Sequence, residues 1–128
     1  MAAIGNLLKV KLPFEPSRPA QAAALAALED KEYLERSLRN NREGMDYLQA
    51  AFERLGLEYV PSAANFLILR LPSEEAAARL TDRLLSQGVI LRHLAPFGWP
   101  TLIRVTVGLQ EENAYFVEQV EGVLSADR

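Results

Sequence analysis

The chain has 128 residues, of which 49% are hydrophobic and 24% charged, and its formal net charge is -3 at pH 7. The absence of cysteine excludes disulfides and cysteine-based metal sites, and the small, dispersed charge indicates neither a nucleic-acid surface nor a membrane surface. Because no apolar run approaches the roughly 20 residues of a membrane span, we expect one cytoplasmic globular domain over residues 1–128.

The first third of the chain predicts helices joined by an extended segment. A helix over residues 2–10 is indicated by apolar residues at helical spacing: Ile4, Leu7 and Leu8. Pro13 and Pro19 bracket an extended or turned connection, because proline disfavours helix in the residue before it. Pro19 then opens an alanine-rich helix that continues to about Leu28.

A long amphipathic helix is predicted from about Asp30 to Leu55. One apolar stripe supports it, with steps of three, four and seven residues: Leu34, Leu38, Met45, Leu48, Phe52 and Leu55. Gly56 follows as a stop signal, because glycine readily adopts the left-handed conformation at a helix C-terminus.

The second half of the chain predicts strands alternating with helices. Three strands are expected, at residues 65–71, 89–92 and 102–107. The first is nearly all apolar, which favours a central strand covered on both faces. Ser73 is a candidate N-cap for a helix that ends at Gly88, and Glu111 opens a final helix. This order predicts an α/β (α+β) sandwich in which a sheet of three or four strands packs against helices.

Catalytic motifs are scarce in this sequence. His93 is the single histidine, and no Gly-x-Ser-x-Gly elbow supplies a serine to pair with it. A zinc site would have to combine that one histidine with carboxylates, which is unusual, and the scattered glycines form no phosphate-binding loop. We expect His93 to be an ordinary exposed or hydrogen-bonded residue.

Five segments together resemble a known family. They are Val10-Lys11-Leu12-Pro13-Phe14 continuing to residues 21–28, Arg42-Glu43-Gly44 continuing to Gly56, Pro61-Ser62 continuing to Asn65-Phe66, Gly88-Val89-Ile90-Leu91-Arg92, and Ile103-Arg104-Val105-Thr106-Val107-Gly108 followed by Glu111-Glu112-Asn113. In this order they are similar to the C-terminal small domain of fold-type I, pyridoxal-phosphate-dependent aminotransferases of the histidinol-phosphate subgroup.

The resemblance implies a mostly antiparallel sheet and a role in moving an amino group between histidinol phosphate, or a similar amino-acid-like substrate, and a 2-oxo acid. It makes residues 1–17 an interdomain helix end with its connecting segment and residues 18–128 the compact domain. The larger, cofactor-binding domain would be absent, so the isolated chain should be inactive. Two alternatives stay open: the small domain of a threonine-phosphate decarboxylase, or a non-catalytic module that acts through protein contacts.

The lysines bear directly on the cofactor. Only Lys9, Lys11 and Lys31 are present, whereas the resemblance places the Schiff-base lysine upstream of the matched region. Each is more simply a solvated surface lysine. We therefore expect no catalytic residue here and no pyridoxal phosphate bound to this chain alone.

Arg104 is the principal candidate for substrate binding. Strand alternation places it on the face opposite Ile103 and Val105, and its planar guanidinium suits a carboxylate. The resemblance matches it to the family's carboxylate-binding arginine, which would meet a phosphate in histidinol phosphate. The alternative is a solvated strand arginine.

Two weaker candidates accompany Arg104. The resemblance places Asn65 at the rim of the active-site cleft, and Arg92, at the end of a strand, could meet a phosphate or carboxylate. Asn65 is equally well explained as a strand-initiating asparagine, and Arg92 as a surface cation. Glu15 departs from the family, in which many members carry asparagine after the Pro-Phe pair.

Apolar surface without a cover predicts self-association. The residues concerned are Phe14, the alanine-rich helix, and the aromatic loop with Phe97 and Trp99. Uncovered patches of this kind favour a homodimer or a larger homo-oligomer.

Overall fold

The computed structural model describes residues 2–11 and 14–126 and divides into two units between Glu35 and Arg36. The first unit contains α1 (Ala2–Val10), α2 (Arg18–Glu29) and the first turn of α3 (Lys31–Leu55). All three helices were predicted from the sequence, while the part of the connection at residues 12–13, including Pro13, lies outside the described residues. Within this unit, no side chain that the structure describes is buried.

Local hydrogen bonds explain where these helices begin. The Ser17 hydroxyl accepts the N–H of Ala20 at 3.4 Å, with Pro19 in the first turn of α2. The Asp30 carboxylate accepts the N–H of Tyr33 at 2.9 Å at the start of α3. Both contacts satisfy N–H groups that have no partner within the helix.

The second unit combines the rest of α3 with a four-stranded sheet and two further helices. In chain order the elements are β1 (Glu58–Val60), β2 (Phe66–Arg70), α4 (Glu74–Ser86), β3 (Arg92–His93), a 3₁₀ turn (Ala95–Phe97), β4 (Leu102–Thr106) and α5 (Gln110–Ala126). The strand order is β1-β2-β4-β3, and every neighbouring pair is antiparallel. The predicted α/β sandwich with a small antiparallel sheet is confirmed.

The three helices α3, α4 and α5 cover one face of the sheet. Their apolar side chains form a single core with the alternate strand residues Leu67, Leu69, Ile103 and Val105. Phe66 and Ile68, on the other face of β2, are only half-buried. β2 is central in the sheet as predicted, but the expectation that both of its faces are covered is wrong, because every helix of this unit that contributes to the core packs on the same side.

The edges of the sheet differ from the sequence expectation. β1 was not predicted, and the strand expected at residues 89–92 pairs with β4 only through Arg92 and His93. Gly88 has a φ of +82°, after which Val89 turns into the core while Ile90 remains exposed. The apolar run therefore contributes to the core at Val89 rather than forming a full strand.

The compact part of the chain also begins later than residue 18. Residues 18–35, which include the whole of α2, are exposed, and burial begins at Asn40 within α3. An alanine-rich helix has the correct helical propensity but supplies little apolar area to a core.

Candidate anion-binding site

Two arginines face each other on the open side of the sheet. Arg92 of β3 and Arg104 of β4 are direct partners in the antiparallel register, and both side chains are exposed. Neither forms an ion pair within the described part of the chain, unlike Arg54, which pairs with Glu121, and Arg70, which pairs with Glu58. Like charges placed directly opposite each other destabilise a strand pair, so this arrangement favours an anion bound between them.

Each guanidinium is stacked on an aromatic ring. The Cζ atom of Arg104 lies 5.6 Å from the ring centroid of Phe66, and the Cζ atom of Arg92 lies 5.4 Å from that of Phe97. Both distances are within the range of a cation–π interaction. The rings limit the orientations of two long side chains that would otherwise move freely.

These groups surround an open depression of about 440 Å³. Its lining consists of Phe66, Ile68, Arg92, Leu94, Phe97, Trp99 and Arg104. Two cations next to an apolar and aromatic surface suit a ligand that joins a phosphate or carboxylate to an apolar body.

The loop from β3 to β4 is held by a dense set of hydrogen bonds. The N–H groups of Phe97 and Trp99 both donate to the carbonyl of Leu94, at 2.9 and 3.2 Å. The Nε2 atom of His93 lies 2.6 Å from the carbonyl oxygen of Pro100, so the ring must donate a proton there. His93 therefore closes the loop and does not line the depression.

Asn65 lies apart from the two arginines. Its side chain is exposed, and its backbone carbonyl accepts the N–H of Val107 at 3.0 Å. It is not part of the lining of the depression. The structure thus brings together two of the three candidate residues and gives Asn65 a role in joining the ends of two strands.

A second group of residues, not identified from the sequence, fixes α3 to the turn between β4 and α5. The side chain of Asn113 accepts the N–H of Gly108 at 2.9 Å and donates to its carbonyl at 3.1 Å. Asn40 donates to the same carbonyl at 3.1 Å. A Cβ atom on Gly44 would collide with Val107 and approach Asn113 Nδ2 to 2.9 Å. A glycine inside a helical pattern was the available signal.

The lysines do not fit a pyridoxal phosphate site. Lys9, Lys11 and Lys31 are all exposed and belong to the first unit. A Schiff-base lysine needs a desolvated pocket or a neighbouring cation to activate it, and exposed side chains such as these lack a desolvated pocket.

Neither a cluster of metal ligands nor a membrane-spanning helix is present among the described residues. Over residues 2–11 and 14–126, no group of three or more histidine, aspartate or glutamate side chains could hold a metal ion. Over the same ranges, no helix is both long and apolar enough to cross a membrane.

Comparison with known proteins identifies the family. The family model of aminotransferase class I and II matches residues 2–120. The chain therefore belongs to the class I and II aminotransferases, as the resemblance of its motifs predicted.

Individual relatives indicate a subgroup within that family. The chain is 48% identical over 121 residues to a histidinol-phosphate aminotransferase of Symbiobacterium thermophilum, covering 94% of this chain and 33% of that protein. It is 45% identical over 120 residues to histidinol-phosphate aminotransferase 2 of Ralstonia nicotianae, covering 93% of this chain and 32% of the relative. The chain thus spans about a third of the length of these curated relatives.

A solved structure has the same fold. The histidinol-phosphate aminotransferase of Sinorhizobium meliloti, determined in complex with pyridoxal-5'-phosphate, matches with a TM-score of 0.77 and 27% identity. The match covers 96% of this chain and 34% of the other. The fold of the small domain of these enzymes is thereby confirmed.

Proposed function

We propose that this chain is the small domain of a cytoplasmic, pyridoxal-phosphate-dependent histidinol-phosphate aminotransferase, in which it binds the anionic group of the substrate. The observation that carries the proposal is the opposed pair of Arg92 and Arg104, which form no ion pair among residues 2–11 and 14–126 and line a largely apolar depression. The names of the most similar relatives supply the substrate class.

The contribution of the two arginines would be binding and orientation. A phosphate has enough acceptor oxygens for both guanidinium groups, whereas the carboxylate of a 2-oxo acid can pair with one of them in a bidentate manner. Fixing this remote group holds the reacting carbon of the substrate at a constant position, which reduces the entropy lost in reaching the transition state. Amino transfer itself would belong to the cofactor and to residues outside this chain.

The proposal predicts that the isolated chain is inactive. Purified protein supplied with histidinol phosphate, 2-oxoglutarate and pyridoxal phosphate should show no turnover, because none of its lysines lies in an activating environment. Measurable transamination by the 128-residue chain would contradict the proposal.

Arg104→Lys tests the anion-binding role in an active context. We would replace the matching third of the Symbiobacterium thermophilum relative with this chain and measure kcat/KM. Loss of a charge-assisted, bidentate contact should lower kcat/KM roughly 10- to 100-fold, mainly through KM.

Arg70→Lys is the matched control for that substitution. Arg70 is also an exposed strand arginine, but it pairs with Glu58 at 3.0 Å and lies outside the depression. Equal effects of the two substitutions would exclude a specific role for Arg104. A chimera that decarboxylates threonine phosphate instead would favour the decarboxylase alternative.

A non-catalytic, protein-binding role is the second candidate, and the first unit favours it. Its apolar side chains are 64–80% exposed in α1 and α2, as in Leu7, Leu8, Leu25 and Leu28. We propose that this surface pairs with a second copy of the chain or with the remainder of a larger enzyme.

A further inference from the structure

We propose that Phe97 is a positioning residue, which orients the guanidinium of Arg92 so that Arg92 and Arg104 act on one anion together. This inference rests on the proposed function of the same site and adds a residue to it. Phe97 has no acceptor or donor in its side chain, so its effect on a small anion must pass through Arg92.

Repulsion between the two arginines makes such a residue necessary. Arg92 and Arg104 are direct cross-strand partners, and neither is ion-paired to a residue that the structure describes, so in the absence of a ligand their guanidinium groups should move apart. A ring that lies against each guanidinium restricts the positions that the arginine can take before a ligand binds. Phe66, on the neighbouring strand β2, lies against Arg104, and Phe97 lies against Arg92.

The two rings are held by different means. Phe66 belongs to the central strand β2 and pairs with Thr106. Phe97 is 59% exposed and has no strand to fix it, so its position depends on the loop. That loop is a 3₁₀ turn ended by Gly98 at a φ of +84°, a conformation that favours glycine.

Rigidity in the loop has a consequence for binding. A free arginine side chain loses rotamer entropy when it is fixed by a ligand. A guanidinium that already stacks on Phe97 has lost part of that freedom before the ligand arrives, so binding costs less. Removing the ring should weaken anion binding without touching any atom that contacts the anion.

The test is a titration of the intact chain with inorganic phosphate at constant ionic strength, followed by NMR of the arginine Nε–Hε groups. In Phe97→Leu, phosphate should bind about two- to fivefold more weakly, as expected for loss of an exposed cation–π contact. The Arg92 Nε–Hε group should become more mobile, whereas that of Arg104 should keep its mobility. Phe97→Tyr retains the ring face and should restore both properties.

Tyr47→Leu serves as the control, because Tyr47 is an exposed aromatic residue on α3 in the helical layer on the opposite face of the sheet. It should leave phosphate affinity unchanged. Unchanged backbone amide signals from Trp99, Thr101 and Leu102 would show that the loop itself remains folded in Phe97→Leu.

The outcomes separate the inference from the proposed function. If the unmodified chain binds phosphate and Phe97→Leu binds it equally well with equal Arg92 mobility, the positioning role is overturned. If the unmodified chain binds no phosphate, the anion-binding proposal fails. In that case Arg92 mobility alone decides whether Phe97 orients the side chain, and an unchanged mobility in Phe97→Leu rejects it.

Discussion

At the scale of single residues, the structure distinguishes two helical glycines that look alike in the sequence. Gly44 and Gly122 both lie within helices, α3 and α5. A Cβ atom on Gly44 would meet Val107 and Asn113, whereas one on Gly122 would have no atom within 4 Å. Helix propensity alone predicts that alanine is favourable at both positions.

We expect the two alanine substitutions to have opposite signs. Gly44→Ala should destabilise the protein by about 1–3 kcal/mol, because overpacking displaces the turn that Asn113 holds. Gly122→Ala should stabilise it by roughly 0.5–1 kcal/mol through helix propensity. Urea unfolding of both variants measures the difference, and a stabilised Gly44→Ala would contradict the packing described.

At the scale of the elements, α4 shows how one short polar sequence begins a helix. The hydroxyl of Ser73 accepts the N–H of Ala76 at 3.2 Å. The pKa of the Glu75 carboxyl is lowered below its usual 4.5. The largest cause is a hydrogen bond from the same hydroxyl, followed by the backbone N–H of Glu75 and by the charge of Arg79. The ionised Glu75 carboxylate thus takes part in the hydrogen bonding at the start of α4.

The direction of this shift predicts the pH dependence of stability. Because the pKa of Glu75 is lower in the folded than in the unfolded state, its contribution is present above pH 4.5 and is lost as the pH falls through the folded pKa. Glu75→Gln should therefore be less stable than the unmodified protein at pH 7, and the difference should shrink below pH 4.5.

Two further variants complete that experiment. Glu74→Gln removes a charge from the same turn and controls for the helix dipole. Ser73→Ala should cost about 1 kcal/mol through loss of the cap and should also reduce the acid dependence. An acid dependence that is equal in Glu75→Gln and in the unmodified protein would exclude the assignment to Glu75.

At the scale of the whole molecule, the buried core lies in the second unit, whereas the described side chains of the first unit are exposed. The buried cluster begins at Met45 and extends to Val123. The described side chains of residues 4–11 and 14–35 are all exposed. Folding of the second unit should therefore not require the first two helices.

A variant that starts at Asp30, and so keeps the N-cap of α3, tests this division. We expect it to unfold cooperatively, with a free energy of unfolding within about 1 kcal/mol of the full chain, because it loses no buried side chain. In light scattering the full chain should associate more strongly than the shortened chain, which lacks the exposed leucines of α1 and α2 but keeps the exposed Phe97 and Trp99. A monomeric full chain at high concentration would contradict the predicted self-association.

The amino-acid sequence by itself determined the helices, the fold class and the family. A period of 3.6 residues defines the apolar face of a helix such as α3 without reference to any other part of the chain. Alternation along β4 likewise placed Arg104 and Ile103 on opposite faces of the sheet. The order of the motifs indicated the aminotransferase family.

Only the tertiary structure decided the strand order, the open face of the sheet and the composition of the site. Arg92 faces Arg104, and Phe97 lies on Arg92, through pairing and loop closure between segments that no local period relates. The collision at Gly44 likewise involves Val107, which is distant in the chain. The periodicity of a segment specifies which way each of its side chains points. The neighbours of that side chain from other elements depend on how the whole core packs.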